Sequence, residues 1–351
     1  MIKVTMIMPI YNAENFLQKA IDSVVNQTLK EIEIILVDDG SSDSSGDICD
    51  RYAEFDKRIV VMHQKNSGMC AARNNAIDIA KGEYLAFMDN DDIIHAGLLE
   101  NAYKAAKKFS ADMVKFGRKS SFVNAEDKLL HNEIRQFTEE EYFNDDIRKN
   151  YFQLEKKECL SAVWDGIYKT ETVRRNKVYF HEEFRYGNED HVFCRELFPY
   201  LESLVLIPGC YYTHYTRKSY SASAKFNEKA LDKHKQSYYY EKSVWDKLGY
   251  LNNFNVDVEF AKVREYIIPL LLMLNRPIST WKIKEKKRYL KQMGEDNAFE
   301  INLTRERFFK MLKTEKAQSF IALLYYWKFY GLLLCLIKFY STYVSKKITE
   351  M

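Results

Sequence analysis

Three short apolar runs early in the chain each end in a polar loop, and two of those loops are crowded with carboxylates. Val4–Ile10 ends in Pro9-Ile10-Tyr11-Asn12, Ile32–Val37 runs into Asp38-Asp39-Gly40-Ser41-Ser42-Asp43, and Tyr84–Met88 runs into Asp89-Asn90-Asp91-Asp92. Stretches with helical spacing lie between the runs: Ala13–Val25, with Phe16, Ala20, Ile21 and Val24 on one face, a segment reaching Asp56, and Gly68–Ala80. Ile59–Met62 and Met113–Phe116 add two more extended runs, and Ala96–Phe109 another helix. Strand–helix alternation of this length predicts an α/β, Rossmann-like half over residues 1–116, with a mainly parallel sheet and flanking helices. In such sheets a ligand sits beyond the carboxyl ends of the strands, where these loops fall.

Residues 117–165 are more polar and irregular, residues 189–199 read as a helix and Leu204–Ile207 as a strand. From about residue 226 the pattern is helical, with basic and aromatic residues interleaved. A catalytic part over 1–225, with an acceptor half at 117–225, and a helical region over 226–351 are the expected divisions. The 351 residues are 46% hydrophobic and 29% charged, which excludes disorder as the main state. The net charge of +3 gives no reason to invoke nucleic acid, but it hides a split. Residues 252–351 hold 18 Lys and Arg against 10 Asp and Glu, while residues 1–251 hold 35 against 40. Six scattered cysteines without a Cys-x-x-Cys pair suit a reducing cytosol, and the N-terminus reads as a strand rather than a signal peptide.

Asp89-x-Asp91 suits a hard divalent cation, Mg²⁺ or Mn²⁺, whose shell one or two carboxylates and substrate phosphates complete. Asp39 is expected to be free to accept an N–H, as from a pyrimidine edge. The competing reading is that each Asp caps the helix after it.

Four segments carry a resemblance: Pro9-x-Tyr11-Asn12, Val37-Asp38-Asp39-Gly40-Ser41-x-Asp43, Asn66-Ser67-Gly68-x-x-x-Ala72-Arg73-Asn74 and Phe87-Met88-Asp89-Asn90-Asp91-Asp92. In this order and spacing they resemble a family 2 glycosyltransferase of the GT-A fold, of the bacterial surface-polysaccharide type. The resemblance implies that Pro9, Tyr11 and Asp39 border the nucleobase, Arg73 lies near the nucleotide, Asp89 near the ribose, and Asp91 is the cation ligand of a DxD motif. Gly187-Asn188-Glu189-Asp190 resembles the family's Glu-Asp motif, implying Asp190 as general base with Glu189 orienting it. An inverting displacement needs such a carboxylate on the acceptor side, although both residues also suit a helix N-terminus.

The segment Tyr211–Ser223 resembles one that closes over the pyrophosphate, with Arg217 matched to phosphate oxygens. His214 either completes the cation shell or is structural. Trp164, in a Trp-x-x-x-Tyr-Lys stretch that flanks the acceptor cleft in the family, either stacks on a sugar or packs. His191 and His181 are structural or acceptor-facing. The implied activity is inverting transfer of a hexosyl or N-acetylhexosaminyl group from a nucleoside-diphosphate sugar, with UDP favoured, to a glycan or lipid-linked acceptor. The competing class is a sugar-nucleotide-binding or scaffolding subunit without activity. A nucleotidyltransferase would need a basic Gly-rich loop where Pro9-Ile10-Tyr11-Asn12 stands.

Residues 317–345 read as one amphipathic helix with Lys328, Gly331, Cys335, Lys338, Thr342 and Ser345 on a narrow stripe. No uncharged apolar stretch is long enough for a spanning helix. An interfacial membrane helix, a homo-oligomer seam and packing on the catalytic domain remain open, the first implying a peripheral protein on the inner face of the cell membrane.

Overall fold

The computed structural model describes residues 1–124, 126–184, 187–217, 228–275, 281–296 and 299–349. The chain divides into two compact units, Met1–Ala224 and Lys225–Met351.

The first unit is built on a ten-stranded sheet with β3-β2-β1-β4-β9-β6-β10-β5 as its main path. Its strands are β1 (Val4–Ile10), β2 (Ile32–Asp38), β3 (Ile59–His63), β4 (Tyr84–Phe87), β5 (Ile93–Ile94), β6 (Met113–Val123), β7 (Leu129–Arg135), β8 (Glu140–Phe143), β9 (Gly166–Lys169) and β10 (Ser203–Arg217). The helices are α1 (Leu17–Val25), α2 (Ser45–Phe55), α3 (Met69–Ile79), α4 (Leu98–Phe109), α5 (Asp145–Lys149), α6 (Tyr151–Lys156), α7 (Thr170–Arg175) and α8 (Glu189–Leu197). β1, β2 and β4 are buried along their whole length, as expected of parallel strands covered on both faces, which read as unbroken apolar runs rather than alternating ones. Leu17, Ala20, Ile21 and Val24 turn one face of α1 into the core.

Pairing is parallel through β3, β2, β1 and β4, as the alternation predicts. The second half makes the sheet mixed: β9 runs antiparallel to both β4 and β6, and β7 and β8 are antiparallel additions. The irregular tract 117–165 supplies strand as well as helix, because β6 continues from Phe116 to Val123 and folds back as β7. β10 is also longer than its apolar stretch. A register irregularity between Ile207 and Tyr212 interrupts its ladder with β6, and its polar second half lies against β5 and β6.

The second unit is helical: α9 (Glu228–Lys247), α10 (Val256–Ala261), α11 (Ile268–Leu274), α12 (Ile283–Glu295), α13 (Arg305–Thr314), α14 (Lys316–Tyr326) and α15 (Tyr330–Thr349), with a π-helical turn at Lys262–Ile267 between α10 and α11. The single helix expected over 317–345 is two. Lys328 takes a left-handed φ of 59°. Phe329 N–H donates to Leu324 C=O at 2.8 Å and Lys328 N–H to Tyr325 C=O at 3.0 Å, the bond pair of a Schellman stop. Hydrophobic periodicity continues across this break, which is why the sequence hides it. Lys328 thus leaves the expected stripe; the side chains of Thr342 and Ser345 lie outside the described residues. Among the described residues no helix is long and apolar enough to cross a membrane.

Candidate active site

The parallel register places the loops after β1, β2 and β4 side by side and ties them together. Asp39 N–H donates to Ile10 C=O at 2.8 Å, and Asn90 Nδ2 to Pro9 C=O at 2.9 Å. Asn12 N–H reaches Ser41 Oγ, and Ser42 N–H returns to Asn12 Oδ1. Pro9 is buried at the end of β1, and Tyr11 beyond it is 51% exposed. Asp39 is not free as expected. Its carboxylate accepts 2.7 Å hydrogen bonds from Gln64 Nε2, Ser67 N–H and Gly68 N–H. Gly68 has φ 92°, a region open to glycine, and this conformation aims its N–H at Asp39. Two acceptor directions on each carboxylate oxygen leave one on Oδ2 for a ligand N–H.

Arg73 is the centre of the site. Carried by α3, it is buried, with its guanidinium over the Phe180 ring. Nη2 donates to Asp89 Oδ1 at 2.9 Å and Nη1 to Asp190 Oδ1 at 2.9 Å, with Glu189 Oε1 at 3.6 Å. One guanidinium therefore joins the loop after β4 to the start of α8. Val163 N–H also donates to Asp190. Burial, opposed by Arg73 but reinforced by Asp89, raises the Asp190 carboxyl above its ordinary range. Burial and the neighbouring Asp190 push Glu189 up to about 7, against Arg73. Asn188 makes no side-chain cap to α8, while Glu189 and Asp190 stand in its first turn, where the helix dipole also favours acids.

A second group of charges lies along the loop after β4. Asp92 is fully buried and holds β10 in place: Oδ2 accepts from Tyr212 Oη at 2.7 Å and His214 Nδ1 at 3.1 Å, and Oδ1 from Tyr215 N–H at 2.8 Å. Burial lowers the His214 pKa, but the bond to Asp92 and the nearby Asp89 and Asp91 outweigh it and leave it raised. Asp91 accepts from Arg217 Nη1 at 2.7 Å, and Arg217 Nε also donates to Asp127. Burial, with Asp92 and Asp89 close by, pushes Asp91 up to about 6, against Arg217 and His214.

Ligand atoms of Asp89, Asp92 and His214 lie within 4.8 Å of one another. Asp91, expected as the cation ligand, accepts from Arg217 through Oδ2. Since Asp92 already accepts three hydrogen bonds, it is better suited to orient His214 than to bind an ion. With His214 Nδ1 occupied, Nε2 is left, as in a carboxylate–histidine–metal arrangement. Asp89, Asp91 and His214 are each about one-third exposed at the side chain. Carboxylates and one imidazole gathered where carboxyl pKa values are raised fit a divalent cation.

Trp164 packs rather than presenting a free face. It stacks on Tyr212 with centroids at 4.6 Å and on His214 at 5.1 Å, and Arg118 lies over its ring at 5.0 Å. His191 Nδ1 is 2.9 Å from Arg195 Nη1, and His181 Nε2 is 2.8 Å from Glu196, so both histidines are bonded within the fold. The segment expected to close over the pyrophosphate is described only to Arg217; its continuation lies outside the described residues. Sequence reasoning missed Asp92 as the anchor of His214, and the third acid of Asp89-Asn90-Asp91-Asp92 was the available signal. It also missed the buried Lys115, which donates to Asp165 at 2.5 Å and to Ala162 C=O, while Arg118 takes the other Asp165 oxygen. That network braces the segment 162–165 that carries Trp164 and the Val163 N–H bound to Asp190.

A mixed α/β sheet with acidic loops at the carboxyl ends of its parallel strands and a second carboxylate pair opposite defines a GT-A glycosyltransferase architecture. The family model "Glycosyl transferase family 2" matches residues 5–178, and the chain belongs to that family. It is 38% identical over 170 residues to Glycosyltransferase GlyA of Streptococcus pneumoniae, a match covering 48% of this chain and 24% of that protein. It is 30% identical over 239 residues to Uncharacterized glycosyltransferase EpsJ of Bacillus subtilis, covering 68% of each. The chain thus spans only about a quarter of GlyA's length and about two thirds of EpsJ's. Among solved structures, S. aureus TarS 1–349 in complex with UDP-GlcNAc superposes with a TM-score of 0.64 at 18% identity, over 98% of this chain and 92% of that one.

Proposed function

We propose that this chain is an inverting glycosyltransferase. It moves a hexosyl or N-acetylhexosaminyl group from a UDP-sugar to a hydroxyl of a glycan or lipid-linked acceptor in surface polysaccharide or teichoic acid synthesis, on the inner face of the cell membrane. The Met1–Ala224 unit would carry the chemistry. The observation that carries the reading is the Arg73 bridge, which puts Asp190 beside the donor-side carboxylate Asp89. Solved TarS structures contain UDP and UDP-GlcNAc, which supports the donor class.

In this reading the base lies against the loops after β1 and β2, with the last acceptor direction of Asp39 taking an N–H of the ring. Asp89, Asp91 and His214 would hold Mn²⁺ or Mg²⁺, which stabilises negative charge on the departing diphosphate when bound. Arg217 now lies between Asp91 and Asp127; a diphosphate would give its guanidinium a further anionic partner. Asp190 takes the proton of the acceptor hydroxyl as it attacks the anomeric carbon. A single displacement inverts that carbon and needs no covalent enzyme intermediate.

The test is a donor-hydrolysis screen over UDP-glucose, UDP-galactose and their N-acetyl forms, with Mn²⁺, Mg²⁺ or chelator. Cation-dependent release of UDP from one of them is expected. No release from any sugar nucleotide would contradict the reading.

A further inference from the structure

α15 presents two different faces. Tyr330, Leu333, Leu334 and Ile337 recur at helical spacing and are buried. Phe329, Leu332, Leu336 and Phe339 follow the same period on another face and point to solvent: Leu332 is 51% exposed, Leu336 45% and Phe339 75%. At the corner between α14 and α15, Trp327 is also exposed, its ring 6.0 Å from that of Phe329. Scattered exposed apolar residues need no explanation, but a continuous stripe of large ones does.

The charge beside the stripe identifies what covers it. From Lys316 to Thr349 the chain has five Lys and no Asp or Glu. α12 adds more: a Cβ on Gly331 would lie 2.9 Å from Lys287 Nζ, so that ammonium rests on α15. Lys286 is close enough to Lys338 for the like charge, after burial, to lower its pKa. Gly331 and Lys338 each stand one position before a residue of the apolar stripe, so Lys287, resting at Gly331, and Lys338 put positive charge along its border. A second copy of the chain would bring the same lysines against one another. A surface that is apolar in the middle and anionic around it satisfies both parts.

We propose that the exposed face of α15, with the Trp327 corner and the lysines of α12, is the surface by which this protein docks on an anionic lipid bilayer, lying in the interface without crossing it. Phe329, Leu332, Leu336 and Phe339 enter the boundary between headgroups and acyl chains, and Lys286, Lys287 and Lys338 meet lipid phosphates. This deepens the membrane-side placement given above and rests on it.

The test is co-flotation of the full chain with vesicles of phosphatidylcholine alone and of equimolar phosphatidylcholine and phosphatidylglycerol. Binding to the anionic vesicles only, weakened by salt, is expected. Leu336→Gln with Phe339→Gln should lower partitioning on the order of tenfold. Lys286→Gln with Lys287→Gln should lower it on the order of thirtyfold. Equal flotation with neutral vesicles, no flotation, or flotation untouched by either double variant would overturn the proposal. So would sedimentation showing a dimer that Leu336→Gln with Phe339→Gln dissociates while vesicle binding persists. UDP-sugar turnover on the same preparations separates the two readings. Turnover without flotation removes the surface and leaves glycosyl transfer standing, and flotation without turnover does the reverse.

Discussion

Arg73 and Asp190, 117 positions apart, meet in a 2.9 Å hydrogen bond between a fully buried guanidinium and a largely buried carboxylate. Asp89 takes the other arm of the same guanidinium, and Glu189 lies 3.6 Å from it. Three carboxylates thus share one cation, and the acidic pair at the start of α8 is held to the loop after β4.

Arg73→Ala should destabilise the protein by about 3–5 kcal/mol at neutral pH, because it leaves buried carboxylates without a partner. The penalty should shrink as pH falls and those groups take up protons. Denaturant unfolding at two pH values measures both effects. A change within experimental error at neutral pH would show that the bridge does not hold the site together.

Glu189 is pushed up to about 7 by burial and by Asp190. The two carboxyls titrate as a pair, so the acid limb of the rate profile belongs to both. Glu189→Gln removes a neighbouring negative charge, lowers the pKa of Asp190 and should move that limb to lower pH. A pH–rate profile of kcat/KM reads the shift. A limb that stays in place or moves to higher pH would contradict the assignment of the pair.

The first half of the fold was legible because its chemistry is local. Buried parallel strands are unbroken apolar runs, and the polar loops after them are visible as composition. The roles of Asp92 and Lys115 were not legible, since their partners come from 120 and 50 positions away. A carboxylate spent on bracing another strand looks the same in sequence as one left for a ligand. Asp39 shows this most clearly: chosen as an open acceptor, it already holds the 64–68 turn through three hydrogen bonds. The stop at Lys328 escaped because a left-handed residue at a helix end is usually glycine or asparagine.

Removing the cation should weaken donor binding on the order of tenfold or more, and Asp91→Ala should abolish that difference. Calorimetric titration of UDP into each protein, with Mn²⁺ or chelator, gives the four affinities. If the variant keeps the full cation dependence, Asp91 is not a ligand.

His63 bridges Asp38 at 2.9 Å and Asp50 at 3.0 Å, and these bonds raise its pKa against partial burial. A raised folded-state pKa means the folded protein binds the proton more tightly. Its contribution to stability is therefore complete below about 6.5 and is lost as pH rises through the higher folded value. His63→Gln should flatten the pH dependence of unfolding above about pH 6.5. An unchanged slope would show that the bridge adds nothing.

The most direct test of the central claim is the rate of sugar transfer by Asp190→Asn, with UDP-sugar affinity measured alongside. The account predicts a loss on the order of a hundredfold or more in kcat, with donor affinity within a few fold of the unmodified protein. Transfer at a near-normal rate would contradict Asp190 as the base and, with it, the inverting mechanism built on the Arg73 bridge.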